Sequence, residues 1–231
     1  MFLTEEEVDR LCRHVRTVAE EATGRGAVSA RLDQFITEVL LFTGLRNSEF
    51  CALRLADAVV RTGQPYFRVR SRATQNRVVY IPGYLAELAD RWIRDVRPRL
   101  VPDDIDEDDA GQPLVFNERR RAYERTGLYR RVVRILKDAG LGERASVQLL
   151  RHTYGYLAYR RTGGNLLFVQ RQLGHAHPMI TSIYAQFADE RYDELANRVY
   201  GNDGAGKAAP IRYRSGIEDD APEDRDPARL L

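Results

Sequence analysis

The chain has 231 residues, room for one full-sized domain and a tail or for two small domains. Hydrophobic residues make up 43% and charged residues 30%, the balance of a globular protein, and no apolar run approaches the roughly eighteen residues of a membrane span. The formal net charge of +2 hides a basic body, because residues 201–231 hold seven acids against five bases and residues 103–109 hold six acids in one run. A basic body with segregated acidic segments fits a polyanion partner. Lys137 and Lys207 are the only lysines, and the other 34 cations are arginine.

The N-terminus is acidic at Glu5, Glu6 and Glu7 and lacks the basic start and apolar stretch of a signal peptide, so a cytoplasmic location is expected. Thr4 and Glu7 have capping-box spacing, and Val8, Leu11, Cys12, Val15 and Val18 continue at helical intervals. Ser29 is the expected cap of a second helix that buries Leu32, Phe35, Ile36, Val39 and Leu40 and ends at Gly44. A short helix over about 48–53 follows, with Asn47 or Ser48 as its cap. Residues 66–70 and 77–81 read as paired strands across a polar turn, and Leu85, Leu88, Trp92 and Val96 mark another helix. The acidic run is a loop. A basic amphipathic helix is expected over 125–140, then helices over about 149–161 and 165–173 separated by Gly163-Gly164. A further helix should carry Tyr184, and 189–199 should form the last one. From Tyr200 onward the composition shifts to Gly, Ala, Pro and acids, so 201–231 are expected to form a disordered tail. Cys12 and Cys51 lie in helical patterns and read as reduced thiols rather than a disulfide.

Against this frame stand Gly44-Leu45-Arg46 with Ser48-Glu49, then Arg151-His152-Thr153, then Leu173-Gly174-His175, with Tyr184 nine residues after His175. Two arginines, a histidine and a tyrosine are the parts needed to break and rejoin a phosphodiester without metal. Planar guanidinium groups can each bond two phosphoryl oxygens. Histidine handles protons near neutral pH, and a phenol with an ordinary pKa of about 10 becomes a nucleophile once its proton is removed. Glu49, three residues after Arg46 on a short helix, is placed to orient that guanidinium. His175-Ala176-His177 lacks the further ligands of a metal site, and no metal or other cofactor is called for.

These residues resemble the catalytic domain of the tyrosine recombinases, the phage integrase family. The first arginine box is matched by Thr43 to Phe50 with Leu53 and Asp57, the His-x-x-Arg-His box in part by Gln148 to His152, and the third by Leu173-Gly174-His175 with Tyr184. The similarity runs over about residues 3–200, taken as one catalytic domain before the tail. It implies a mainly α fold with a small antiparallel β-sheet. It also implies a site-specific DNA recombinase in which Tyr184 attacks a DNA phosphate to form a 3′-phosphotyrosine. The implied charge-holding groups are Arg46 and Arg151, and His175 moves protons. Double-stranded DNA is the implied partner, with four protomers on two DNA sites and in some systems an accessory DNA-bending protein.

Two positions depart from the family pattern. Arg72 stands where the family has a hairpin lysine that protonates the leaving oxygen, and Gln148 stands for the first histidine of the second box. With 45 residues ahead of Arg46, the usual N-terminal helical domain is expected to be absent, as in the short fimbrial invertases. His152 is expected to pack behind Arg151. Tyr192 and Tyr200 are rivals to Tyr184 that spacing disfavours. Arg68, Arg70 and Arg77 on the hairpin and Arg130 and Arg131 on the basic helix are the expected DNA-binding residues, within wider arginine clusters that include Arg119, Arg120, Arg121, Arg125 and Arg134. The competing expectations are a catalytically weak or inactive DNA-binding regulator or accessory protein on the same fold, and a type IB topoisomerase.

Overall fold

The computed structural model describes residues 2–24, 26–70, 76–106, 109–175 and 178–184, with the side chains of 178 and 179 not described. Eight α-helices and a three-stranded antiparallel sheet make up these residues, in agreement with a mainly α fold carrying a small sheet. The expected helix over 189–199 and the tail over 201–231 lie outside them.

Helix α1 (Glu5–Glu21) starts as its sequence dictates: Thr4 Oγ1 accepts from the Glu7 N–H at 3.2 Å, and the Glu7 carboxylate accepts from the Thr4 N–H at 2.9 Å. Its stripe of Val8, Leu11, Cys12 and Val15 packs on α2 (Gly26–Thr43). Helix α2 is apolar almost all round and forms the centre of the core, touching α1, α4, α5 and α6. The charged Glu38 survives there, fully buried, because the Arg16 guanidinium donates to both of its oxygens at 2.9 and 3.2 Å. Ser29 does not cap α2. It lies inside the first turns and donates to Glu118 Oε1 at 2.8 Å.

Gly44 ends α2 with φ of 63°. A Cβ there would stand 2.6 Å from both Leu173 and Tyr154, so only glycine lets the chain turn against these side chains. The turn feeds α3 (Asn47–Cys51), where Arg46, rather than Asn47 or Ser48, is the N-cap residue and Glu49 takes its backbone N–H. The sheet joins β1 (Ala58–Val59), which the sequence pattern is too short to reveal, to β2 (Tyr66–Val69) and β3 (Arg77–Tyr80). Phe67, Val69 and Val79 face the core, while Arg68 and Val78 pair on the outer face.

Helix α4 (Gly83–Arg91) passes into a π turn over Trp92–Val96, so the expected single helix is broken in its pitch. The basic helix α5 (Arg125–Asp138) packs on α2 and α3. Helix α6 (Val147–Arg161) begins two residues earlier than expected because Ser146 caps it, accepting from the Leu149 N–H at 3.0 Å. Asn165 caps α7 (Leu166–Leu173), and Gly164 precedes it with φ of 84°. Helix α8 (Pro178–Ser182) is a single short turn. Tyr184 lies just past it rather than on it, with its N–H bonded to the Thr181 carbonyl.

Candidate active site

Three guanidinium groups meet one carboxylate. Glu49 is buried, with side-chain exposure of 6%. Its Oε1 accepts from Arg46 Nη1 at 2.9 Å and Arg77 Nη1 at 2.6 Å. Its Oε2 accepts from the Arg46 backbone N–H at 2.7 Å and Arg77 Nη2 at 2.9 Å. Arg151 Nη1 stands off at 4.0 Å. Burial alone would raise the Glu49 pKa, but the bonds from Arg77 and Arg46 win and hold it at about 2. One negative charge against three positive ones leaves the cluster cationic.

The same three arginines are registered by the end of α7. A helix C-terminus leaves carbonyl oxygens without intrahelical partners and carries a partial negative charge. The Gln172 carbonyl accepts from Arg77 Nε at 3.0 Å, the Leu173 carbonyl from Arg151 Nη2 at 2.8 Å, and the Gly174 carbonyl from Arg46 Nη2 at 3.3 Å. Arg151 also donates to the Gly44 carbonyl at 2.6 Å, which explains how a guanidinium only 4% exposed stays satisfied. Burial first, and then the Arg46 charge, bring the Arg151 pKa down to about 10 against the pull of Glu49. It remains protonated at neutral pH, and an arriving anion would relieve it.

His175 follows directly on the αL residue Gly174, where a Cβ would strike the Arg77 side chain at 2.9 Å. Its Nδ1 lies 2.9 Å from Thr181 Oγ1. Burial, then Arg151, Arg46 and Arg77, push its pKa down to about 4, so the ring is neutral at pH 7.

Tyr184 is 2% exposed. Its ring lies against Gly155 of α6, where a Cβ would fall 2.2 Å from the phenol Cζ. Burial raises its pKa, and Arg151 opposes the rise. The phenol oxygen is 3.3 Å from His152 Nδ1, and His152 Nε2 is 3.1 Å from Gln148 Nε2. An amide nitrogen offers only hydrogens, so His152 Nε2 accepts and its Nδ1–H donates to Tyr184 Oη. His152 therefore does not pack behind Arg151 as expected. Helical spacing carries it from Gln148 to the face on which the phenol rests.

The structure brings together Arg46, Glu49, Arg151, His152, His175 and Tyr184, with Gln148 on the exposed rim. Arg72 lies outside the described residues. Of the expected DNA-binding residues, Arg68 and Arg130 are exposed, and Arg70 is half exposed while paired with Asp57 at 3.0 Å. Two need correction. Arg77 is 10% exposed with its guanidinium committed to Glu49 and Gln172. Arg131 is equally covered, paired with Asp33 and Glu118 at 2.6 Å each and bonded to the Ser29 carbonyl. Both guanidinium groups are largely covered and bonded within the protein. The residues the sequence pattern missed are Arg77 as a site member, Gly155 as the seat of the phenol, and the carbonyls of 172–174. A glycine inside the strongly helical run of α6 was the one available signal for the seat.

Similarity to known proteins agrees with this geometry. The phage integrase family model matches residues 1–191. The tyrosine recombinase XerH of Helicobacter pylori is 26% identical over 197 residues, covering 84% of this chain and 51% of that protein. A tyrosine recombinase of Thermosipho africanus is 28% identical over 196 residues, covering 84% and 60%. The chain thus spans about half to three fifths of the length of these relatives. Among solved structures, XerH bound to a palindromic difH substrate in a post-cleavage complex superposes with a TM-score of 0.68 at 26% identity, over 85% of this chain and 52% of that one. The catalytic domain of bacteriophage HP1 integrase, at 20% identity and a TM-score of 0.52, shares the fold over 87% of this chain and 97% of that one. With its helical fold, its clustered arginines and a family match over most of its length, the chain belongs to the phage integrase family of tyrosine recombinases.

Proposed function

We propose that the protein is a site-specific DNA recombinase that cuts and rejoins strands through a 3′-phosphotyrosine on Tyr184. The observation that carries this reading is the surplus of positive charge left where Arg46, Arg77 and Arg151 meet Glu49, beside a buried tyrosine and two histidines. Tyr184 Oη attacks the DNA phosphorus, the bond to the 5′-oxygen breaks, and the phenol proton passes to an imidazole, the role assigned to His175, whose ring is neutral and free to accept it. His152 steadies the oxygen as its negative charge grows. Arg46 and Arg151 hold the phosphoryl oxygens, so guanidinium charge serves where other phosphoryl-transfer sites use metal ions. The leaving 5′-oxygen takes a proton from water. Arg72 stabilises it by charge, because a guanidinium holds its own proton too tightly to give it up. Attack by a second strand's 5′-hydroxyl reverses the chemistry, breaking the tyrosyl bond and returning the phenol its proton.

Four protomers on two double-stranded sites, each cutting one strand, complete the proposed reaction. Apolar Leu195 and Val199 make 189–199 the proposed contact between neighbours.

The test is incubation with nicked suicide DNA. A covalent adduct that disappears in Tyr184→Phe and persists in EDTA is expected, and an adduct surviving Tyr184→Phe would assign the wrong nucleophile. In the same assay Arg72→Lys should cleave at least as fast as wild type and Arg72→Ala more slowly. Unchanged cleavage by the alanine variant would remove Arg72 from the site. A second reading, a DNA-binding regulator on the same fold, is favoured by the burial of the Tyr184 phenol and its raised pKa. Sequence-specific DNA binding with no adduct would establish it.

A further inference from the structure

Arg77 opens β3 at the end of the hairpin turn, in a row of arginines whose sequence suggests DNA contacts. Its surroundings say otherwise. Both terminal nitrogens bond the two oxygens of Glu49, the arrangement that fixes a carboxylate's plane as well as its distance. Its Nε bonds the Gln172 carbonyl, and its stem fills the space over Gly174. Two of the elements it joins to β3, α3 and the end of α7, carry or precede a residue of the proposed site.

We infer that Arg77 is a positioning residue for DNA cleavage, acting through Glu49, and not a DNA-contacting arginine; this rests on the recombinase reading above. The arginines around Glu49 compete for one carboxylate. Glu49 fixes Arg46 twice, through its backbone N–H and through Nη1. Its remaining acceptor capacity is taken by Arg77, and Arg151 is left 4.0 Å away. Without Arg77 the buried carboxylate would turn to the next cation within reach, which is Arg151. That ion pair would neutralise the guanidinium that has to meet the phosphate and would draw its Nη1 off the Gly44 carbonyl. Arg77 therefore keeps Glu49 occupied, so that Arg151 stays available to an anion. Lysine offers charge without the fork, so it should replace arginine only in part.

The experiment compares wild type, Arg77→Gln, Arg77→Lys, Glu49→Gln and the Arg77→Gln/Glu49→Gln double variant. DNA affinity is measured across a salt series, and single-turnover cleavage of nicked suicide DNA at saturating protein. Thermal melting identifies the folded variants. For Arg77→Gln we expect an affinity within about twofold of wild type and an unchanged salt slope, since a lost phosphate contact would reduce the slope by about 0.9. Cleavage should fall by about 100-fold, as expected when a reacting group is misplaced by roughly an ångström. Arg77→Lys should recover about a tenth of the wild-type rate, which also serves as the reading if Arg77→Gln does not fold. The double variant should be no slower than the slower single one, because the two residues act as a unit. A salt slope reduced by about 0.9, wild-type cleavage in Arg77→Gln, or multiplying rate losses would each overturn the assignment. Absence of an adduct with wild-type protein would instead remove the recombinase reading and this inference with it.

Discussion

At the scale of single residues, burial and then Arg151, Arg46 and Arg77 depress the His175 pKa, while Arg77 and Arg46 overcome burial to depress that of Glu49, and both make acid the weak side of the fold. The His175 pKa lies at about 4 when folded against an ordinary 6.5, so the unfolded chain takes up a proton first and stability falls as pH drops from 6.5 through 4. Glu49, at about 2 when folded against 4.5, contributes stability that is complete above 4.5 and is lost as pH falls through 2. A separation of that size corresponds to about 3 kcal/mol for Glu49. Melting temperatures followed from pH 7 to pH 5 should therefore fall more for wild type than for His175→Asn. Parallel curves for the two proteins would mean that His175 is not held neutral by its surroundings. The spacing of Arg46, Arg151, His175 and Tyr184 is legible in the sequence because each sits in a short local string. The roles of Arg77 and His152 are not, since their partners are set by contacts across 28 residues for Glu49 and 32 for Tyr184.

At the scale of elements, most helices announce themselves through caps and apolar stripes, and the misses have local causes. Ser146 was hidden because α6 is buried on most of its surface and shows little amphipathic contrast at its start. Strand β1 has two residues, too few to alternate. The seat of Tyr184 on α6 is a gap in a helix, defined by the absence of a side chain at Gly155. Gly155→Ala should favour helix formation by its own propensity, by up to about 1 kcal/mol, yet close the seat. The phenol should then be displaced, with the segment after α8 more readily cut by protease. In a Tyr184→Ala background the same substitution should raise the melting temperature. A loss of stability in that background would show that the close approach of the ring is not what Gly155 serves.

At the scale of the whole molecule, a row of arginines turns out to be two populations. Arg131 and Arg134 share Asp33, and Arg131 also holds Glu118 and Ser29, so this part of α5 is spent joining α2 to the loop before α5. Arg130, one position away on the helix, is exposed. Arg130→Ala should lower the salt slope of DNA binding and leave melting unchanged. Arg131→Ala should do the reverse, with about 3–5 kcal/mol lost for breaking a covered ion pair. Equal effects of the two variants on DNA affinity would erase the distinction. Composition shows that a basic body exists, but which charges are already neutralised depends on partners such as Asp33, 98 residues away in the chain.

The end of α7 imposes a demand of an unusual kind on the sequence. The acceptors it supplies to Arg77, Arg151 and Arg46 are main-chain oxygens, which at 172 and 173 residues of many kinds can provide, while 174 calls for glycine. Substitution along the helix can therefore be generous wherever packing permits. Insertion or deletion cannot, because one residue more or less turns a helix by about 100° and would hand each arginine an acceptor aimed elsewhere. Between Asn165 and His175 the chain keeps a count more strictly than it keeps a spelling.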